Sequence, residues 1–245
     1  MCSIILITRL AGQPGLMVAA NRDEKLDRPA TGPTLEAEAP IARLRPIDQS
    51  QGGTWLGINA MGVFAGITNR FMAPADPSRK SRGELPLFAL EEPSARMAAN
   101  RLSAIDAYDY NAFHLVIADL KEAWVVWSDG TLLQREALLP GIHVITESSY
   151  AAGEDLRRNY LFTRATEIAK TPNSTLSGLT TLLGESLEES FHGPCVYLPA
   201  IGYGTRSSTL IAWGNTPEER IFQHSPVPPN QPQWQDHSQV LRDWT

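Results

Sequence analysis

A cysteine stands at position 2, ahead of the apolar run SIILI at residues 3–7. A thiol becomes a nucleophile when it is ionised and held in place. With an ordinary pKa of about 8.5, only a few per cent of it is thiolate at pH 7; reaching half asks for roughly 1.5 units, or about 2 kcal/mol. One guanidinium in a partly buried site supplies that. The stretch VAANRDE at residues 18–24 carries such a group in Arg22, flanked by Asn21, Asp23 and Glu24. If residues 2–10 and 16–23 are the arms of a hairpin around GQPG, cross-strand partners sum to about 25. Cys2 then faces Asp23, and Ser3 faces Arg22; a shift of one residue makes the partner Glu24 or Arg22. Directly opposed residues lie roughly 5 Å apart at Cβ.

A base is also available. Met1 precedes a small residue, and its removal would give Cys2 a free α-amine of pKa about 7.7–8.0. That amine can take the thiol's own proton, with Asp23 holding the amine or Arg22 in place. The competing reading of NRDE is a solvated strand end. Against it, the preceding strand is nearly all apolar, and the motif meets a chain end that bears a nucleophile. Acyl transfer further needs donors for the developing oxyanion. GITNR supplies Asn69 at the end of a second apolar strand. A turn at NAMG pairs residues summing to about 121, which sets Asn69 opposite Gly52 in the permissive Gly52-Gly53 pair. The alternative for Asn69 is a local turn bond.

Several elements must position these residues. Residues 25–52 read as a long polar loop with Pro29, Pro33, Pro40 and Pro46, a candidate lid. Residues 71–86 form another polar loop, and residues 87–108 suit one or two helices. FHLVIADL, EAWVVWSDG and TLLQREAL form a meander with Asp129-Gly130 as a turn, and PGIHVITES adds a strand. A helix over 154–170 places Leu156, Tyr160, Ala165, Ile168 and Ala169 on one face. A second spans 174–189, capped by Asn173 or Ser174. Strands follow at CVYLPAIGYG, SSTLIAWG and ERIFQH, then a Pro- and Gln-rich tail over 225–245 that wraps the surface. Strands do not alternate one-for-one with helices, so the class is α+β: two antiparallel sheets flanked by helices, in one domain over 1–245.

The bulk composition excludes several functions. The 245 residues are 42% hydrophobic and 20% charged, enough apolar material for a core without staples. A net charge of −6 with scattered Lys and Arg disfavours nucleic acid as a partner. Two cysteines cannot build a disulfide framework; with no membrane-length apolar run and no signal peptide, the expected location is cytoplasmic. His192 and Cys195 form H-x-x-C, but two ligands without a second pair are poor evidence for a metal or haem, and no metal site is expected. Trp55, Trp124, Trp127 and Trp213 lie on strands as core, or as walls of an apolar pocket.

MCSI, NRDE, GGTWLGIN, GITNR, SRGEL and YGTRSST, in that order, make the sequence resemble the NRDE family, the relatives of transport and Golgi organisation protein 2. The likeness runs from Cys2 to about Leu210. It implies the N-terminal-nucleophile hydrolase fold, a four-layer αββα sandwich. Within that fold, bile-salt hydrolases and penicillin V acylases use an N-terminal Cys with an Arg and an Asp on the second strand. Cys2, Arg22 and Asp23 are similar, and Asn69 matches those enzymes' oxyanion Asn. Their second Asn falls where this chain has Glu147, and a carboxylate cannot donate to an oxyanion unless protonated. Arg206 in GTRSS fits the NRDE pattern. Asn21, Glu24, Trp55, Glu147 and Arg206 are the candidates for substrate contact. The implied activity is cleavage or transfer of an acyl-amide C–N bond without a cofactor. The alternative is a non-enzymatic carrier of haem or an acyl-lipid.

Overall fold

The computed structural model describes residues 2–71, 75–150 and 155–244. Met1, residues 72–74 of the second polar loop and the first residue of the helix expected from 154 lie outside them. In chain order the strands are β1 (Cys2–Thr8), β2 (Leu16–Lys25), β3 (Ala30–Glu36), β4 (Arg43–Asp48), β5 (Leu56–Asn59) and β6 (Phe64–Asn69). Two helices follow, α1 (Leu85–Leu90) and α2 (Ala95–Leu102), and then β7 (Phe113–Ala118), β8 (Ala123–Ser128), β9 (Leu133–Leu138) and β10 (Gly141–Ile145). The last part holds α3 (Leu156–Ala169), α4 (Thr175–Leu183), β11 (Tyr197–Leu198), β12 (Tyr203–Trp213), β13 (Ile221–Ser225), β14 (Gln235–Asp236) and α5 (Ser238–Arg242). The chain divides into two compact units, Met1–Arg28 with Pro140–Asp243, and Pro29–Leu139 with Trp244–Thr245.

The first unit is built on a sheet ordered β10-β1-β2-β12-β13-β14, with β11 on β12. Its ladders are antiparallel. Ile5, Ile7, Met17, Ala19, Val144, Leu210 and Ala212 point to one face and pack on Leu161 and Ala165 of α3 and Leu179, Leu182 and Leu183 of α4. Period-2 alternation explains the selection: odd positions of β1 and β2 face these helices. On α3 the inward residues are Arg157, Leu161 and Ala165, while Leu156 is 47% exposed. The apolar periodicity places Leu156 inward; the helix turns an arginine in instead. α4 ends at Leu183, short of the expected 189, and Ser174 at its N-cap makes no side-chain cap bond. The Pro/Gln-rich tail contributes β14 on β13 and α5, which buries Leu241.

The second unit holds the sheet β3-β4-β5-β6-β7-β8-β9, covered on part of its area by α1 and α2. Residues 25–52 are no lid: most of the stretch is the β3–β4 hairpin. Its prolines mislead because Pro33 sits on the edge strand, within the register shift between Thr31 and Thr34, where no ladder donor is needed. Its cross-strand pairing is ionic, with the Glu36 carboxylate accepting from Arg43 and Arg45. The β5–β6 register pairs Ile58 with Phe64 and Leu56 with Gly66. β5 starts at Leu56, so Gly52 is not Asn69's partner; Asn69 pairs with Phe113 of β7. Gly52 lies in a turn at φ +70, and Gly53 packs so closely on Gly83 that an added Cβ would sit 2.6 Å from its carbonyl carbon. Trp55 and Trp213 are buried as expected of core. The guanidinium groups of Arg96 and Arg135 stand 5.7 and 4.9 Å from the Trp124 ring, and Arg70 covers Trp127 at 4.6 Å.

Candidate functional site

The β1–β2 register puts Cys2 opposite Arg22, the one-residue alternative to the expected Asp23. The cause is the connection: Thr8 pairs with Leu16, and residues 9–15 turn with Arg9 and Gly12 at positive φ. Arg22 is 4% exposed and is also opposite Ser207 of β12. Alternation along β2 then separates the motif. Asn21 and Asp23 share the helix side with Met17 and Ala19, and Arg22 takes the other, with His224 close enough for its charge to be felt.

Asp23 is fully enclosed, at 1% exposure. Its Oδ2 accepts from Arg157 Nη2 at 2.6 Å and its Oδ1 from Thr205 Oγ1 at 2.6 Å. Its carbonyl accepts from the Tyr203 hydroxyl at 2.8 Å. Arg157 also reaches Glu147 Oε2 through Nη1 at 3.3 Å and the Pro194 carbonyl through Nη2 at 3.2 Å. The result is a buried guanidinium shared by two carboxylates, brought from α3, β2 and the turn after β10. Residues 194–196 of the FHGPCV stretch serve as its bracket. Asn21 donates to the carbonyls of Pro194 and Leu183, both at 2.9 Å. Val196 and Thr205 exchange two bonds of 2.8 Å.

The electrostatics follow from this burial. Burial pushes the Cys2 thiol above its ordinary value; Arg22 and the Asp23 backbone N–H act the other way, and the Asp23 carboxylate adds to the rise. Desolvation outweighs the lowering influences there, the Arg22 guanidinium among them. Burial likewise raises the Glu147 carboxyl, with Arg157 opposing. Burial by itself lowers Arg157, yet Asp23 and Glu147 hold its pKa above the ordinary arginine value. Tyr203 is raised by burial and by the Asp23 charge. His224, bonded at 2.9 Å to Thr209, is pushed down to about 4 by burial, with His237 and Arg22 adding to it.

Cys2, Arg22, Asp23 and Glu147 thus gather in the first unit. The remaining candidates there turn elsewhere. Asn21, expected at substrate, spends both amide hydrogens on carbonyls and accepts from Ser208. Glu24 bonds the Lys25 N–H and pairs with Arg28 at 3.7 Å. Arg206 falls at the register shift between Thr205 and Ser207 and donates to the Leu26 carbonyl; a bulge re-aims a side chain in this way. Asn69, exposed, and Trp55, buried, belong to the second unit. His192 pairs with Glu189 at 2.7 Å and Cys195 is buried; among the described residues no three metal-ligating side chains come together. Sequence pattern does not single out Arg157, and within YGTRSST, which contains Tyr203 and Thr205, it marks Arg206 instead. For Arg157 the only hint is an arginine at a helix position four residues before Leu161 on the inward face.

Two antiparallel sheets with a few helices make a protein of class α+β, of the N-terminal-nucleophile hydrolase fold. Solved structures of that fold align across the chain. Penicillin V acylase from Agrobacterium tumefaciens gives a TM-score of 0.61 at 14% identity, covering 99% of this chain and 88% of its own. A Caenorhabditis elegans N-acylethanolamine-hydrolyzing acid amidase ortholog gives 0.58 at 12% identity over 86% and 92%. Conjugated bile acid hydrolase from Clostridium perfringens gives 0.57 at 12% over 98% and 93%. The chain belongs to the Transport and Golgi organisation 2 family, whose profile matches residues 1–225. The Transport and Golgi organization protein 2 homologs of Bos taurus and Homo sapiens are 25% and 26% identical, each covering 80% of this chain and 81% of the relative.

Proposed function

We propose that the protein is an amide-cleaving or acyl-transferring enzyme with Cys2 as nucleophile, acting on a small acyl-amide in the cytoplasm without a cofactor. The observation that carries this reading is the placement of Cys2 opposite Arg22, with Asp23 held by Arg157 and Thr205. The similar solved structures, by name an acylase, an acid amidase and a conjugated bile acid hydrolase, support it. No helix among the described residues is long and apolar enough to cross a membrane, and both cysteines are free, as a reducing compartment requires.

In this mechanism removal of Met1 frees the Cys2 α-amine, which takes the thiol proton as sulfur attacks the acyl carbon. The C–N bond breaks, the proton passes to the leaving amine, and water hydrolyses the thioester. Arg22 stabilises the thiolate. Intact mass of the purified protein tests the reading. Loss of Met1 and an acyl-amidase activity abolished by Cys2→Ala are expected; Met1 retained in an active protein overturns it.

Two observations favour a second reading, in which the same fold carries haem or an acyl-lipid. Burial disfavours the Cys2 thiolate, and the Glu147 carboxylate is engaged by Arg157 at 3.3 Å rather than offering a donor. A Soret shift on titration with haemin that survives in Cys2→Ala supports carriage; no shift removes haem as cargo.

A further inference from the structure

We propose that Arg157 is a positioning residue for Cys2, its guanidinium holding the Asp23 and Glu147 carboxylates in one neutralised array beside the thiol. The proposal rests on the nucleophile reading of Cys2. No sequence motif marks Arg157, and helix interiors seldom enclose an arginine; here it is 2% exposed. Its partners are both acids, at 2.6 and 3.3 Å, and both are buried.

The charges decide the role. Besides the α-amine of the chain end, the ionic side chains of this region are Arg22 and Asp23 on β2, Glu147 after β10 and Arg157 on α3, all buried, and Tyr203 of β12 adds a neutral phenol. Among these side chains two cations and two anions sum to zero. Without Arg157 that sum is −1, with the Asp23 carboxylate within electrostatic reach of the sulfur, and a like charge disfavours ionisation. The Arg157 and Cys2 charges are within mutual influence, as are those of Cys2 and Asp23. Asp23 must also keep its place, since its own backbone N–H faces the sulfur. Arg206 supplies no such cation, because it is turned to Leu26. The second guanidinium of this site therefore comes from a helix, 134 residues from its carboxylate in sequence.

The test needs no substrate. The full chain is alkylated with iodoacetamide across a pH series, and the peptide carrying residue 2 is quantified by mass spectrometry, which separates it from Cys195. Arg157→Met is expected to raise the alkylation midpoint by about one unit or more, and Arg157→Lys to bring it back toward the parent value. A folded Arg157→Met with an unmoved midpoint overturns the proposal. If Arg157→Met does not fold, Glu147→Gln takes its place: with one anion removed the midpoint falls, and an unmoved midpoint again overturns it. Failure of amide hydrolysis with these shifts intact would instead count against the hydrolase reading alone.

Discussion

The Arg157–Asp23 pair is the most consequential contact at the level of single residues. Both side chains are almost wholly enclosed, at 2% and 0% exposure. Breaking such a pair leaves an uncompensated buried charge. Asp23→Ala is therefore expected to lower unfolding free energy by roughly 3–5 kcal/mol, measured by urea denaturation. The penalty should shrink in the Asp23→Ala/Arg157→Met double variant, since the stranded charge is gone. An equal loss in the double variant would contradict the pairing. Residue 2 was legible in the sequence because a cysteine, an arginine and an aspartate meet within one hairpin. Arg157 was not, because nothing local distinguishes it from the exposed Arg158 that follows.

Elements transmit these placements. β2 lies between β1 and β12 and carries three consecutive polar residues in a buried strand. Because successive side chains alternate in direction, the three residues act on different neighbours. Asn21 ties down the segment between Leu183 and Pro194, Arg22 meets Cys2, and Asp23 meets α3. Asn21→Ala takes a partner from the Leu183 carbonyl and the Ser208 hydroxyl and leaves the Pro194 carbonyl with the Arg157 donor, a cost of about 1–3 kcal/mol. Faster hydrogen exchange over residues 183–196 is expected with it, and unchanged exchange there would rule out the tie. On α3, Leu161→Ala empties a fully buried site in the helix–sheet core, and a loss of about 2–5 kcal/mol is expected in the same denaturation measurement. Strands written in apolar runs were readable. The β3–β4 hairpin was not, since Glu36 binds Arg43 and Arg45 across it by charge and Pro33 sits within its edge strand.

On the scale of the whole molecule, stability carries the signature of His224. Its pKa falls from 6.5 to about 4 on folding. Above pH about 6.5 neither folded nor unfolded His224 is charged, and there is no penalty. As pH drops toward 4, the unfolded chain takes up a proton that the folded protein refuses. Stability then declines by up to about 3 kcal/mol from this group. His224→Gln is expected to flatten that part of the pH profile, read from urea midpoints; an unchanged slope would show that the side chain is free to protonate in the fold.

Composition and local pattern alone determined the α+β class, most strand positions, the family likeness and the meeting of Cys2 with the NRDE strand. Those features depend on short-range periodicity and turn chemistry, which a sequence carries directly. Tertiary structure alone decided which residue of NRDE faces the thiol, since one step of register exchanges the faces of a strand. It also decided that α3 supplies the second guanidinium, that Arg206 turns away at a bulge, and that burial outweighs Arg22 at the sulfur. Desolvation and long-range charge pairing depend on neighbours more than a hundred positions apart, and only the packed chain brings them together.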